Sequence, residues 1–239
     1  MHALLRHFPG TLPLLAVAWL LAPAAAPAAE PAVLVPPPAV DAPLKTSAGP
    51  TETAVLAGGC FWGVQAVFQH VNGVARAVSG YAGGTQETAD YEIISRGRSG
   101  HAEAVAITFD PSVVSYGTLL RIFFSVAHDP TQRDRQGPDV GPQYRSAIWA
   151  TDDNQKHIAE NYIAQLDKAG VFTQPIATQL SGAMPFYPAE AYHQDYATLH
   201  PNEPYIVYND RPKVENLKRL FPDLRRDKPV LVGMSRPQG

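Results

Sequence analysis

Along the middle of the chain the spacing of apolar and polar positions changes several times, and each change marks an element. Residues 52–57 (ETAVLA) are a short apolar run ending in two glycines, the pattern of a buried strand. From residue 60 to 71 the side chains Phe61, Val64, Val67, Phe68 and Val71 recur at helical spacing, and Asn72-Gly73 supplies a stop. Residues 74–79 read as a strand. Residues 80–100, rich in Gly, Thr and charge, form a loop long enough to suggest a functional role. Residues 102–109 alternate as a strand until Asp110-Pro111 breaks it, and Ser115 opens a helix whose inward stripe is Leu119, Leu120, Ile122, Phe123 and Val126. A loop over 128–142, a strand over 143–150 and a helix from an Asp152 N-cap to Leu166 follow. Residues 176–180 are a candidate fifth strand, and helical stretches over 188–199 and 213–221 close the folded part.

The order β-α-β-β-α-β between residues 52 and 150 is the split βαβ pattern. The expected fold is therefore α+β: a ferredoxin-like plait with a mainly antiparallel sheet, helices on one face and extra C-terminal helices. Such a plait serves many activities, so function has to be read from a site.

The ends of the chain follow a different composition. Residues 1–28 carry Arg6 with His2 and His7, then the apolar run Leu12, Leu14, Leu15, Ala16, Val17, Ala18, Trp19, Leu20 and Leu21, then small residues with Ala26-Pro27-Ala28 as an A-x-A cleavage motif. The run is well short of the roughly 20 apolar residues that span a bilayer. It predicts a cleaved secretory signal, an exported and periplasmic protein, and no stable membrane insertion after cleavage. Residues 29–50 are rich in Pro and Ala and predict an extended tether. The folded domain is expected over 51–222 and a Pro- and Arg-bearing tail over 223–239. A formal net charge of -3 supplies none of the basic excess that nucleic-acid binding requires.

Composition also isolates the chemistry. The chain has 1 cysteine in 239 residues, which excludes internal disulfides, CxxC redox pairs and cysteine-rich zinc sites. That residue, Cys60, stands in GGCFWG at the predicted first turn of a helix, where unpaired N–H groups and the helix dipole favour a thiolate. Gly58, Gly59 and Gly63 weaken the flanking elements, and that cost makes sense where another molecule must come close to the backbone.

Gly59-Cys60-Phe61-Trp62-Gly63 resembles the signature of the A-type peptide methionine sulfoxide reductases. So do Gly100-His101-Ala102-Glu103-Ala104, Asp139 and Gly141 leading into Gln143-Tyr144-Arg145-Ser146, and Phe186-Tyr187-Pro188-Ala189-Glu190 followed by Tyr192-His193-Gln194. The resemblance runs over about residues 51–221, in the family's order and spacing. It implies thiol-dependent reduction of methionine S-sulfoxide, free or in proteins, through a Cys60 sulfenic acid, in the repair of oxidised exported proteins. It further implies Cys60 as nucleophile and Glu103 as a proton donor kept neutral by burial. Tyr91 and Tyr144 would hold the sulfoxide oxygen, Phe61 and Trp62 would receive the substrate methyl group, and Asp139 would orient the substrate. His193 and Tyr196 are candidates for the surrounding shell.

Many relatives carry further cysteines near the C-terminus that resolve the sulfenic acid. Ile206 and residues 223–239 offer no thiol. Regeneration is then expected to need an external thiol, either a small one or a thioredoxin-like or glutaredoxin-like protein, with no tightly bound cofactor and no metal. Three other readings compete. A cysteine hydrolase would pair Cys60 with a histidine such as His193 or His128, leaving Glu103 and both tyrosines without a task. A zinc deaminase would begin from His101-x-Glu103 but lacks its P-C-x-x-C partner. A binding module would use Phe61 and Trp62 to hold methionine-rich segments and catalyse nothing.

Overall fold

A computed structural model describes residues 32–47 and 49–234. The predicted signal segment, its cleavage motif and the end of the tail lie outside the described residues. Strand β1 (Glu52–Gly58) leads into helix α1 (Phe61–Gln69) and β2 (Val74–Ala82); a short helix α2 (Tyr91–Ile94) interrupts the loop before β3 (Ala102–Phe109). Helix α3 (Tyr116–Ile122) runs on into a π-helical turn at Phe123–Ala127, and a small hairpin of β4 (Arg135–Gln136) and β5 (Asp139–Val140) precedes β6 (Ser146–Trp149). Helix α4 (Asp153–Ala169), β7 (Gln179–Ser181), β8 (Phe186–Pro188) and α5 (Tyr196–Leu199) follow. A second π turn at Ile206–Asp210 opens α6 (Arg211–Leu220).

Six strands form one sheet in the order β7-β6-β1-β3-β2-β8. All neighbours pair antiparallel except β6 and β7, which are parallel, so the chain is α+β with a mixed sheet. Alternation along the central strands divides their side chains between two faces. Leu56, Val105, Ile107, Phe109 and Ile148 face α1 and α3 in the main core. Val55, Ala57, Ala102, Ala104, Ala147 and Trp149 form a second cluster on the opposite face, where Phe186 also packs. Glu103 has the parity of Val105, so the strand's period turns a carboxyl toward the helical layer.

Cap chemistry matches the sequence at two helices. The Ser115 hydroxyl accepts from Thr118 N at 3.1 Å, and Asp152 Oδ1 accepts from Gln155 N at 2.8 Å. Other boundaries differ. The strand expected over 143–150 begins at Ser146, because Pro142–Tyr144 winds into a 3-10 turn. The stretch expected as a helix over 188–199 starts at the last residue of an edge strand and holds only a 3-10 turn and one short helix. Tyr187, held extended by the proline after it, pairs with Tyr81 on the edge of β2. The Gln194 amide then takes over the role of strand backbone, accepting from Ser79 N at 3.0 Å and donating to Ser79 O at 2.9 Å.

The stretch expected as an extended tether over 29–50 packs on the domain in its described part. Residues 32–47 contain no helix or strand, yet they strap across α3, the first π turn and α4. Proline carbonyls need donors, and side chains of the domain supply them: the Tyr162 hydroxyl donates to Pro36 O at 2.7 Å and Gln165 Nε2 to Pro37 O at 2.9 Å. Val35 enters the core at 0% exposure, its N–H donating to Ser125 Oγ and its carbonyl accepting from Arg121 Nε. Asp41 adds a second cap to α3 by accepting from Gly117 N and the Ser115 hydroxyl. A proline-rich composition describes local stiffness and says nothing of a groove elsewhere that accepts it. Val35→Ala is expected to lower unfolding free energy by about 1–3 kcal/mol, read as a shifted denaturant midpoint at unchanged slope. A spacer would show no shift.

Candidate active site

Strand β1 ends in Gly58 and Gly59 and hands the chain to Cys60, the N-cap of α1. Gly59 has φ +86°, a left-handed conformation that makes the turn possible and that a larger residue would strain. The three glycines admit the protein's own side chains: Phe123 and His128 lie against Gly58, Gln136 against Gly59, and the Asp210 carboxylate against Gly63. Cys60 is 8% exposed. The Trp62 N–H hydrogen-bonds its sulfur, as expected at a helix start, but the expected thiolate does not follow. Burial, then Glu103 and Asp210, push the thiol well above its ordinary pKa, and the single N–H does not offset them. At rest Cys60 is a protonated thiol.

Glu103, 4% exposed, accepts at Oε2 from the Phe61 N–H at 3.0 Å. That bond joins the start of β3 to the residue after Cys60, so positions 43 apart in sequence share one site. Burial pushes the Glu103 carboxyl up to about 8, against the lowering effect of the Phe61 N–H. It holds its proton at neutral pH. Asp139 on β5 is raised by burial, and the Tyr205 hydroxyl donates to its Oδ2. Asp210 ends the second π turn, and burial raises it to about 6 against the Lys213 ammonium, whose Nζ lies 3.7 Å from Oδ1.

The predicted tyrosines converge on the same place. Burial and then the Glu103 carboxyl push both Tyr91 and Tyr144 up, with Cys60 contributing to each, so both hydroxyls remain neutral donors. Glu190 sets Tyr91: one oxygen accepts from the Tyr91 N–H at 3.0 Å and the other from the Tyr81 hydroxyl at 2.7 Å. Arg145 sets Tyr144, donating to Pro142 O, to His101 O and to Gly100 O at 2.8–3.1 Å and so tying its own loop to the start of β3. Phe61 is buried in the main core with its ring edge toward His193. Trp62 is half-buried and stacks on Tyr196 at 3.9 Å. Of the two aromatics beside the thiol, Trp62 is the more accessible.

The chain matches the peptide methionine sulfoxide reductase family over residues 52–224. It is 63% identical over 182 residues to peptide methionine sulfoxide reductase MsrA 2 of Mesorhizobium japonicum, covering 76% of this chain and 93% of that one. An MsrA of Thermus thermophilus is 49% identical over 177 residues, covering 74% and 99%. Among solved structures, methionine sulfoxide reductase A of Corynebacterium diphtheriae superposes with a TM-score of 0.55 at 35% identity, covering 72% of this chain and 87% of that one. Reduced Mxr1 of Saccharomyces cerevisiae does so with 0.56 at 29%, covering 66% and 92%. The chain belongs to the peptide methionine sulfoxide reductase A family.

The reductase catalyses the reduction of peptide methionine (S)-S-oxide to methionine, a repair reaction. Its histidines argue against the hydrolase reading. His128 is pushed down to about 3 by burial, and its ring nitrogens meet the Ser146 hydroxyl and Phe123 O. His193 packs its ring on Phe61 and Tyr91 without a hydrogen bond to Cys60 among the described residues. His101 accepts at Nδ1 from Gly84 N, which leaves Nε2–H to donate to Thr85 O, so the ring fixes a turn. Among the described residues no group of three or more His, Cys, Asp or Glu is arranged to hold a metal ion.

Four side chains of the reductase's site escaped the sequence reading. Glu190 stood inside a quoted motif without a task, and Asp210 resembled an ordinary acid before a helix. Tyr205 and Lys213 carried no local signal. A group that must keep a proton to donate it loses that ability as pH rises through its pKa. The slope of log rate against pH for single-turnover methionine formation should therefore fall by one unit near pH 8. In Glu103→Gln that bend should vanish and the rate drop by about 10²–10⁴-fold, as quenched time courses would record.

Proposed function

We propose that the Cys60 sulfur attacks the sulfoxide sulfur while Glu103 protonates the departing oxygen. The observation that carries this reading is the bond from the Phe61 N–H to Glu103 Oε2, which brings a proton-bearing carboxyl within one residue of the thiol. Tyr91 and Tyr144 donate hydrogen bonds to the sulfoxide oxygen and stabilise charge as the S–O bond weakens. Trp62, braced by Tyr196, lies along the substrate's methyl group, with Phe61 behind it as support, and Asp139 orients the substrate with Tyr205.

The product on the enzyme is a Cys60 sulfenic acid, and with no second cysteine in the chain its reductant is an external thiol, small or thioredoxin-like. Oxidised proteins and peptides are the substrates. Export to the periplasm belongs to the same reading, supported by the apolar run over 12–21 and Ala26-Pro27-Ala28. Among the described residues no helix is long and apolar enough to cross a membrane. We also read β6-β1-β3-β2 with its helices as a ferredoxin-like plait, supported by their antiparallel order.

Without added thiol, enzyme mixed with excess methionine sulfoxide should form one methionine per Cys60 and stop, carrying an adduct after dimedone treatment. Dithiothreitol should restore turnover. Cys60→Ser should form none. Continued turnover without thiol, or methionine from Cys60→Ser, would contradict the reading.

A further inference from the structure

The mechanism above leaves a proton without a destination. Cys60 is a protonated thiol, and Glu103 beside it is already protonated, so the group that supplies a proton to oxygen cannot first take one from sulfur. We propose that Asp210 is the base that receives the Cys60 proton on attack and passes it to the departing hydroxyl when the sulfenic acid is reduced. The inference rests on the reductase mechanism and extends it to a residue with no assigned task.

Its geometry begins at Gly63. Gly63 is the third helical residue after the Cys60 N-cap, the position from which a side chain reaches back toward the capping residue. The Asp210 carboxylate occupies this place: a methyl group added at 63 would overlap Oδ1. The carboxylate arrives there because the π turn Ile206–Asp210 brings it in ahead of α6, and such turns are frequent at functional sites. Asp210 is 1% exposed, and its one donor among the described residues is the Lys213 ammonium, 3.7 Å from Oδ1 and beyond ordinary hydrogen-bond distance, so Oδ2 is left without any. Buried carboxylates are rarely left in that state, and one poised to accept a proton accounts for it. Asp139, the other nearby acid, has an oxygen already engaged by Tyr205.

The groups bearing on Asp210 come from every element around it. Lys213 on α6 lies at 3.7 Å; Cys60, Glu103, Asp139 and Tyr205 interact with it electrostatically; His70 and Arg211 line an apolar cavity that it also borders. Lys213 is the neighbouring cation that keeps the carboxylate charged while the acids around it favour proton uptake.

The cycle closes with two proton carriers. In the first half, the thiol proton passes to Asp210, the sulfoxide loses its oxygen and is reduced by two electrons, and Glu103 gives that oxygen a proton as Cys60 becomes the sulfenic acid. In the second, an external thiol forms a bond to the Cys60 sulfur and gives up its proton, which restores Glu103. The Asp210 proton leaves with the hydroxyl as water. A second thiol then breaks the mixed disulfide, releasing the reductant disulfide and the Cys60 thiol.

A base ionised above about pH 6 makes single-turnover methionine formation rise below that value and stay level up to the Glu103 bend. If bulk hydroxide removed the thiol proton, the rate would rise about tenfold per pH unit throughout that range. In Asp210→Asn the level region should become a slope and the rate at pH 7 should fall about tenfold or more. Alkylation of Cys60 by iodoacetamide should meanwhile become faster, because one repelling charge is gone. Gly63→Ala, which evicts the carboxylate, should slow methionine formation in the same way. A wild-type rate that climbs steadily from pH 6 to 8, or an Asp210→Asn enzyme faster in both assays, would overturn the proposal, and the wild-type profile decides it even if the variants fail to fold. Failure of the underlying mechanism would look different: methionine from Cys60→Ser, or none from the wild type.

Discussion

Burial of carboxyl groups around a single sulfur is the constraint on which this site depends. Taking Glu103 out of water makes its charged form expensive, and the Phe61 N–H alone does not restore it, so the carboxyl keeps a proton at neutral pH. The same burial, with the same acids, keeps the thiol protonated. A helix N-terminus commonly activates a cysteine by making it a thiolate. Here the helix start instead holds Glu103 through the Phe61 N–H, and the activation of sulfur has to come from proton transfer at the moment of reaction.

The fold exists in service of that arrangement. Cys60 can be reached only because β1 ends in a left-handed glycine turn, and Glu103 can meet it only because β3 lies beside β1 with its odd positions facing the helices. The tyrosines are held by residues that do no chemistry themselves: Glu190 grips the Tyr91 backbone, and Arg145 gathers three carbonyls beside Tyr144. Such supports limit how far a hydroxyl can drift within the site. The strap at 32–47 works at greater distance, closing the core over the π turn whose Phe123 packs against Gly58.

The missing second cysteine changes how the enzyme must be regenerated. Ile206, buried beside Asp210 on the second π turn, gives the sulfenic acid nothing to react with. The reductant has to approach a sulfur with little exposure, in a site whose acids repel an incoming thiolate. A neutral thiol that loses its proton on arrival meets less resistance, and this suits a site already organised around proton transfer.

Much of this could be read from the one-dimensional pattern. Apolar period marked β1, α1 and β3, side-chain caps marked α3 and α4, and the solitary cysteine between glycines and aromatics located the chemistry, because each of these depends on neighbours within a few residues. The alternation of β3 even contained the burial of Glu103. What the pattern could not contain were contacts between distant segments: a proline-rich strap finding donors on α4, an edge strand at Phe186–Pro188 pairing with β2 just ahead of the stretch expected as helix, and Asp210 filling the space left by Gly63. The thiol's protonation was settled in the same way. Local sequence supplies a helix start that favours charge on sulfur, whereas burial and three carboxyls from β3, the β5 hairpin and the turn before α6 decide against it, and those meet only when the chain is folded.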